Sequence, residues 1–320
     1  MRVLVTGATG FVARHLVPRL LEAHPDAEVW GLVRWDADTE GLHPRLRTVV
    51  GDLRDGPSVA AAVRAARPDA VLHLAAASTV AGSYAAPAEV LEVNVVGQVH
   101  LLEAIRAEGL APRVVVACSG EAYGAVPEGE LPAAEDTPFR PVSPYAVSKA
   151  AQDLLAAQYE RAHGLAAVRL RPFNHTGPGR PPRFVTSSLA RQVAEAEAGL
   201  AEPVVEVGNL DVVRDFTDVR DVAEAYLAAL DPGLPPGAYN VCSGRPVAVR
   251  EVLEILLGLA RVPLTVRVDP ARLRPADIPA LWGDPSRFRE AAGWAARIPL
   301  ERTLSDLLDW WRERAAGGRP

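Results

Sequence analysis

The feature that most constrains the fold of this chain is a regular alternation of short apolar segments and longer helical segments over its first half. The short segments are apolar throughout instead of alternating with polar residues, which is typical of parallel strands buried on both faces. They are RVLVT, AEVWGLVR, LRTVVGDL, PDAVLHLAA, PRVVVACS and LAAVRLRPFN. The pattern predicts an α/β fold with a Rossmann-type, doubly wound parallel sheet.

The pattern changes after Asn174, where a Gly/Pro-rich loop, HTGPGRPPRFV, begins. A helix, TSSLARQVAEAEAG, a short strand, PVVEVG, and a loop, NLDVVRDFTDVRDV, follow it. We predict a Rossmann domain over residues 1–175, with a strand near 237–243 that returns to the sheet. Residues 176–320 are predicted to form mainly a smaller C-terminal substrate-binding lobe over the carboxyl edge of the sheet.

Composition excludes several classes of protein. The 320 residues carry a net charge of −6 and no basic stretch, which argues against a nucleic-acid partner. No apolar run is long enough for a membrane span, and the N-terminus shows no cleavable signal pattern. Two cysteines, Cys118 and Cys242, form neither a disulfide framework nor a metal-ligand cluster. We therefore expect a cytoplasmic protein without a membrane or nucleic-acid partner.

A glycine-containing loop, GATGFVA, follows the first strand and opens the first helix. Glycine is needed where the backbone turns sharply and approaches a pyrophosphate, and the free N–H groups of the helix then hold the anion. Such a turn also occurs without a ligand, but its place at the start of the alternating pattern favours a dinucleotide. The predicted cofactor-binding residues here are Gly7, Thr9, Gly10, Phe11 and Val12.

The choice between NAD and NADP is expected at the end of the second strand. Arg34 stands there and suits a 2′-phosphate, whereas the nearest acid, Asp36, comes two residues later. We therefore favour NADP(H) and keep NAD(H) as possible, because Arg34 is also compatible with an ordinary surface arginine. The ends of the next two strands are predicted to line the adenine edge and to pass under the cofactor. These residues are Asp52, Leu53, Leu74, Ala75 and Ala76.

Lys149 is the only lysine among 34 lysines and arginines. It follows Tyr145 by four residues, so a helix places both side chains on one face. An ammonium near a phenol lowers the phenol's pKa, and lysine offers three donors for ribose hydroxyls. Ser119, at the end of the fifth strand, can donate to a substrate carbonyl while Tyr145 exchanges the proton. Glu121 is compatible with an acid/base group, an electrostatic influence on Tyr145 or a structural acid.

Seven motifs resemble, in order and spacing, the extended short-chain dehydrogenase/reductases that act on nucleotide sugars. They are TGATGFV, HLAA, CSGEAYG, SPYAVSK, RPFNHTGPG, GNLDVVRDF and YNVCSG. Within that family, PFNHTGPG, VGNLDVVRDF and RPADIPALWGDPSRF are similar to the GDP-mannose branch. The resemblance implies a GDP-linked sugar as substrate and a homodimer built on the helices around strand five. Ala150, Leu154, Ala157 and Leu165 are candidates for that face, or for the core.

The resemblance also implies roles for individual residues. Ser119, Tyr145 and Lys149 match the family's catalytic triad, with Glu121 as a further candidate. Pro172, Phe173 and His175 match a segment lining the nicotinamide. The residues implied to bind substrate, together with Ser119 and Glu121, are Asn94, Asn174, Val185, Arg214, Arg274 and Asp277.

Two reactions of the branch remain open. We favour reduction of the C4 ketone of a GDP-4-keto-6-deoxy-hexose, because Gly120, Ser188, the short chain and the ending LLDWWRER are more similar to the reductases. The alternative is GDP-mannose 4,6-dehydration with a recycled NADP⁺, which Glu121 supports. A nucleotide-sugar C4-epimerase is a third interpretation. A nonenzymatic NADP sensor is disfavoured, because such proteins have lost the Tyr–Lys pair.

Overall fold

The computed structural model describes residues 1–35, 41–273 and 278–317. Its strands, in chain order, are β1 (Arg2–Thr6), β2 (Glu28–Val33), β3 (Arg47–Val50), β4 (Ala70–His73), β5 (Arg113–Ala117), β6 (Ala167–Pro172), β7 (Asn174–Thr176), β8 (Val204–Val207), β9 (Val213–Arg214), β10 (Phe216–Asp218), β11 (Gly237–Val241), β12 (Val247–Ala248), β13 (Thr265–Val268) and β14 (Ala280–Leu281). Seven of them form one sheet in the order β11-β6-β5-β4-β1-β2-β3, and every pairing in it is parallel. The predicted Rossmann-type α/β class is confirmed.

Helices cover both faces of this sheet. They are α1 (Phe11–Ala23), α2 (Gly56–Ala66), α3 (Val80–Ala85), α4 (Pro87–Leu91), α5 (Gly97–Ala107), α6 (Pro144–His163), α7 (Val185–Glu197), α8 (Val219–Ala228), α9 (Val249–Gly258), α10 (Ser286–Ala292) and α11 (Leu300–Ala316). One apolar core joins the sheet to α1 and α8, and a second joins its other face to α2, α5 and α6. A third core lies among α7, α9 and α11, away from the sheet. The predicted division of the chain near residue 175 stays a prediction. Two elements that follow this residue, α8 and β11, pack with the sheet.

Residues 209–222, predicted as a loop, contain β9, β10 and the start of α8. β10 pairs with β7, and β9 pairs with β12 and β14. Strands of two or three residues are too short to show a period, and all of these partners are distant in sequence, so local pattern did not reveal them. The loop prediction was wrong here.

The helical segment between β4 and β5 contains a π-helical turn at Glu92–Val96, which lies between α4 and α5. Such turns are uncommon and are often found at functional sites. Asn94 lies in this turn and is fully buried. No helix among the residues described is long and apolar enough to cross a membrane.

Candidate active site

The loop between β1 and α1 has the geometry that a bound pyrophosphate requires. Gly7 has φ +70°, and a Cβ atom placed there would lie 2.8 Å from the Cα and N atoms of Ala75. Gly10 precedes the first residue of α1 and donates to the Gly7 carbonyl at 2.9 Å. Part of the space around this turn is therefore closed to any side chain, and the helix N-terminus beyond it presents backbone N–H groups. These residues fit a dinucleotide phosphate.

The end of β4 lies beside this loop, and the end of β3 lies two strands away from β1 in the sheet. Ala75 packs under Gly7, and its N–H donates to the Thr6 hydroxyl at 3.2 Å. Leu53 is buried in the second core and contacts Gly97, so its side chain is structural. Asp52 is held by Arg54, whose hydrogen bond lowers the pKa of that carboxyl.

Arg34 is exposed at the end of β2 and lies over the Trp35 ring, 5.0 Å from its centroid. Its charge also lowers the pKa of Asp52, so the guanidinium lies toward the end of β3. Asp36, the nearest acid in the sequence, lies outside the described residues. The structure therefore places the Arg34 cation at this edge, with Asp52 near enough for its carboxyl to be affected by that charge.

Helix α6 carries the reaction-centre pair. Ser143 caps it by accepting from the Ala146 N–H at 3.1 Å, and Pro144 occupies its first turn. Lys149 is 3% exposed, and its Nζ donates to the Ala117 carbonyl at 2.7 Å. The Nζ atom lies 5.9 Å from the centroid of the Tyr145 ring. Burial lowers the pKa of Lys149 to about 8.

Tyr145 is surrounded by groups that oppose one another. Burial raises the pKa of its phenol to about 12, a hydrogen bond with Ser119 lowers it, Glu121 raises it and Arg180 lowers it. Ser119 Oγ also accepts from the Glu121 N–H at 3.2 Å, so its own proton is directed elsewhere. The structure thus brings Ser119, Glu121 and Tyr145 together. The pKa of Tyr145 lies above its ordinary value, in contrast to the lowering expected from Lys149.

Asn94 acts on the backbone around the site. Its Oδ1 accepts from Ala77 N at 2.8 Å, and its Nδ2 donates to Ser148 Oγ at 2.8 Å and to the Ala77 carbonyl. The amide therefore ties the chain after β4 to α6, beside Lys149. These hydrogen bonds give Asn94 a structural role at the site, and its predicted contact with substrate stays a prediction.

The segment after β6 divides into buried and site-facing residues. Phe173 packs into a small core beside Gly120 and Gly283, and Pro172 is buried at the end of β6. His175 stacks on Phe11, with ring centroids 6.0 Å apart and an interplanar angle of 7°. Burial lowers the pKa of His175 to about 3, so its imidazole is neutral at physiological pH.

The residues predicted to bind substrate are spread over several elements, unlike Ser119, Glu121 and Tyr145, which lie together. Asn174 is half-buried in β7, and Val185, the first residue of α7, is 40% exposed. Arg214 is buried in β9, and its Nη1 donates to the Val213 carbonyl at 2.8 Å. Arg274 and Asp277 lie outside the described residues. No group of histidine, cysteine, aspartate or glutamate suited to a metal occurs in the part of the chain described.

Two sets of residues were not predicted from the sequence. Arg180, in the loop after β7, carries a charge that lowers the pKa of the Tyr145 phenol. Asp153, one turn beyond Lys149, is 1% exposed at its side chain and forms a two-point ion pair with Arg171 at 2.7 and 2.9 Å. A chain with so many arginines gives no local signal for which of them is buried, so only the fold could reveal these pairs.

Comparisons with known proteins agree with this geometry. The family described as GDP-mannose 4,6 dehydratase matches residues 4–307. The GDP-6-deoxy-D-mannose reductase of Pseudomonas aeruginosa is 38% identical over 98% of both chains. A solved structure of RMD from the same organism, complexed with NADPH, has a TM-score of 0.86 at 36% identity and covers 98% of this chain and all of that one.

A second solved structure, the UDP-glucose 4-epimerase of Thermus thermophilus in complex with NAD, has a TM-score of 0.87 at 36% identity and covers 98% of this chain and 99% of that one. These similarities extend over nearly the whole length of the chain, so they span both the loop and the triad positions described above. The chain belongs to the GDP-mannose 4,6-dehydratase family of extended short-chain dehydrogenase/reductase enzymes.

Proposed function

We propose that this protein reduces the C4 ketone of a GDP-4-keto-6-deoxy-hexose to the alcohol, giving a rhamnose- or talose-type sugar. The observation that carries the proposal is the grouping of Ser119, Tyr145 and Lys149 at the carboxyl end of β5: Tyr145 is hydrogen-bonded to Ser119, and Lys149 Nζ lies 5.9 Å from the Tyr145 ring centroid. A tyrosine phenol holds its proton at neutral pH, as a proton donor must. The reductase relative from Pseudomonas aeruginosa supports the same direction of reaction.

The residues of the chain would act in the following order. Ser119 donates a hydrogen bond to the ketone oxygen and polarises it. Tyr145 then delivers its proton to that oxygen as the alcohol forms. Lys149 holds ribose hydroxyls with its ammonium. When bound, NADPH supplies a hydride, and the residues that would hold it are those of the Gly7–Gly10 turn, with Arg34 near the 2′-phosphate.

NADP(H) is the proposed cofactor and NAD(H) remains possible. Arg34 supports NADP(H) because its exposed guanidinium suits a 2′-phosphate. The two structural relatives bind NADPH and NAD respectively. Measured affinities for the two reduced cofactors would decide between them.

Dehydration of GDP-mannose is the second candidate, and Glu121 is the observation that favours it. Its carboxylate lies near enough to Tyr145 to raise the phenol's pKa. A dehydratase needs such a group to remove the C5 proton after oxidation at C4. However, the 38% identity to a GDP-6-deoxy-D-mannose reductase over nearly the whole chain ranks reduction first.

Two incubations distinguish the candidates. Purified protein is given the 4-keto-6-deoxy sugar nucleotide with NADPH or NADH, and separately GDP-mannose without reductant. Reduction predicts loss of nicotinamide absorbance in the first and no product in the second. Turnover of GDP-mannose without reductant would reverse the ranking. Glu121→Gln should abolish dehydration but only moderate reduction, and Tyr145→Phe should abolish both.

A homodimer is part of the proposal. α3, α4 and the π-helical turn pack beside α6, and this face exposes several large apolar side chains. They are Tyr84, Leu91, Val96, Val142, Val147 and Leu154. Of the residues suggested from sequence, Leu154 is 61% exposed, whereas Ala150 and Ala157 are buried and belong to the fold of one chain.

The dimer is tested by the mass of the particle in solution. Leu154→Glu should give a monomer in light scattering, while Leu200→Glu, which changes a leucine of similar exposure elsewhere, should not. We also propose a cytoplasmic location, because the two cysteines are buried free thiols, as is common in reducing compartments.

A further inference from the structure

Four polar side chains lie together in the core between the cofactor turn and α6. They are Thr6 at the end of β1, His73 at the end of β4, Gln98 on α5 and Gln152 on α6, and each is at most 1% exposed. Burying polar groups costs free energy unless they are hydrogen-bonded, and apolar residues would be sufficient for packing alone. The burial of His73, the first residue of the HLAA motif, therefore calls for an explanation beyond packing.

A backbone carbonyl fixes the direction of the hydrogen bonds between α5 and α6. Gln98 Nε2 lies 2.9 Å from the Gln152 carbonyl, which can only accept, so this nitrogen is the donor. Gln98 Oε1 then faces Gln152 Nε2 at 2.9 Å and accepts from it. Gln152 Oε1 has no donor among the residues described, but turning the amide over would set this oxygen against Gln98 Oε1. Gln152 Nε2 therefore presents its N–H groups to the core.

The orientation of Gln152 determines the tautomer of His73. Gln152 Nε2 also lies 3.5 Å from His73 Nε2, and because this amide nitrogen can only donate, His73 Nε2 is the ring nitrogen without a proton. Burial, with a contribution from the Lys149 charge, lowers the pKa of His73 to about 3, so the ring is neutral and its one proton lies on Nδ1. His73 Nδ1 lies 2.8 Å from Thr6 Oγ1 and therefore donates to it.

Thr6 connects His73 to the cofactor turn. Its Oγ1 accepts from the Ala75 N–H at 3.2 Å, and its backbone carbonyl accepts from the Leu74 N–H at 3.2 Å. Ala75 is the residue that lies against Gly7, since a Cβ atom on that glycine would be 2.8 Å from the Ala75 N and Cα atoms. The two hydrogen bonds of Thr6 thus hold the chain after β4 in place beneath the turn.

We propose that His73 is a positioning residue for the cofactor turn: through its Nδ1–H it fixes the Thr6 hydroxyl as the acceptor that holds Ala75 beneath Gly7. Donors then occupy both lone pairs of Thr6 Oγ1, so the hydroxyl cannot turn away from Ala75. The other ring nitrogen, bonded to Gln152, ties the same segment to α6. The turn is therefore ordered before a dinucleotide arrives, which strengthens binding. The inference concerns cofactor binding, so it holds for reduction and for dehydration.

The tautomer of His73 is measured by nitrogen-15 NMR of the full chain, labelled at histidine and free of cofactor. Protonated and unprotonated nitrogens of a neutral imidazole resonate in well-separated regions of the spectrum. The signals of His73 are assigned among those of the seven histidines by their loss in His73→Asn. We expect a neutral ring with its proton on Nδ1 at neutral pH. A proton on Nε2, or a charged ring, would overturn the proposal.

Cofactor affinity, measured by calorimetry, tests the connection to the turn. Thr6→Val removes the hydroxyl at nearly constant shape and should weaken binding of NADPH and NADH alike, by about tenfold each, because both carry the pyrophosphate that the turn holds. Thr6→Ser keeps the hydroxyl and should stay within about twofold of the parent protein. An unchanged affinity in Thr6→Val, or no binding of either dinucleotide by the parent, would contradict the role of His73.

Substitutions of the histidine itself separate its hydrogen bond from its volume. His73→Leu should weaken binding about as much as Thr6→Val does. His73→Asn should recover most of that affinity, because its side-chain amide can donate to Thr6 from the place of the ring Nδ1. Equal losses in the leucine and asparagine variants would show that only the shape of the ring matters.

Thr303→Val is the matched control for a merely structural effect. Thr303 is 1% exposed in α11, and its hydroxyl donates to Asp218 Oδ2 at 2.7 Å. Both threonine-to-valine variants should lower the free energy of unfolding, but only Thr6→Val should lower cofactor affinity, and equal losses of affinity would refute the proposal. If Thr6→Val does not fold, the tautomer of His73 in the parent protein decides. Ketone reduction enters none of these measurements, so failure of the proposed reaction is distinguished from failure of His73's role.

Discussion

The buried ion pair between Asp153 and Arg171 gives a stability prediction with a definite size. The two side chains are 1% and 6% exposed, and they form two hydrogen bonds at 2.7 and 2.9 Å. Arg169 also contacts the carboxylate at 3.3 Å, with its side chain 15% exposed. Asp153→Asn leaves the buried charge of Arg171 without its anion. Breaking such a pair from one side costs about 3–5 kcal/mol.

The assay is urea unfolding followed by far-UV circular dichroism, with the free energy of unfolding taken from midpoint and slope. Asp211→Asn is the control, because Asp211 pairs with Arg250 at 2.6 Å but the side chains are 79% and 53% exposed. Exposed pairs contribute about 1 kcal/mol or less. A double variant, Asp153→Leu with Arg171→Met, should recover much of the loss, since it leaves neither charge of the pair buried.

Equal and small losses of stability in Asp153→Asn and Asp211→Asn would show that burial of the Asp153–Arg171 pair adds nothing to the cost of breaking it. The ion pair also bears on function, because Asp153 lies on α6 one turn beyond Lys149. We expect folded Asp153→Asn to reduce turnover as well as stability. Full activity in that variant would show that the pair does not position the helix.

Three further predictions follow from the site. Burial lowers the pKa of Lys149 from 10.5 to about 8, so between those pH values the folded protein binds fewer protons than the unfolded chain. The free energy of unfolding of the wild type, measured by urea unfolding relative to Lys149→Met, should therefore rise by on the order of 3 kcal/mol between those pH values. Below about pH 8 this difference between wild type and variant should not change with pH. Gly7→Ala should abolish NADPH binding in calorimetry, whereas Gly109→Ala, which has φ +62° and open space around it, should leave binding intact. Arg34→Gln should weaken NADPH binding at least about tenfold and NADH binding little. The control variant Arg64→Gln, on α2, should change the affinity for neither cofactor. An equal loss of affinity for both cofactors in Arg34→Gln would contradict the assignment of Arg34 to the 2′-phosphate.

The sequence predicted the main sheet well because its strands are long enough to show uninterrupted apolar runs. β1, β4 and β5 are almost entirely buried, and each is followed by a site segment whose position the parallel topology then determines. Strands of two or three residues, such as β9 and β10, carry no comparable signal. They form through pairing with distant partners, which no local pattern contains.

Within the site, the sequence showed which residues carry suitable chemical groups, but it did not show where each side chain points. A single lysine among arginines identified Lys149, yet the direction of its ammonium, toward the Ala117 carbonyl, depends on how α6 packs on β5. Phe173 and Leu53 occupy the predicted segments, but both side chains point into cores. The spacing of motifs in the sequence predicts which segment approaches a ligand. The packing of the folded chain determines which side chains of that segment face the ligand.

The same composition that identified Lys149 concealed Arg180. Nearly every basic residue of this chain is arginine. The residue type alone therefore does not tell whether a given positive charge is exposed, ion-paired or buried. The distinction lies in the surroundings: Arg183 is exposed beside Phe184, whereas Arg180 lies against Phe184 and Phe11, and its charge lowers the pKa of the Tyr145 phenol. Residue type therefore tells which chemical group a position carries, and only the packing around that position tells whether the group is exposed, paired or buried beside aromatic rings.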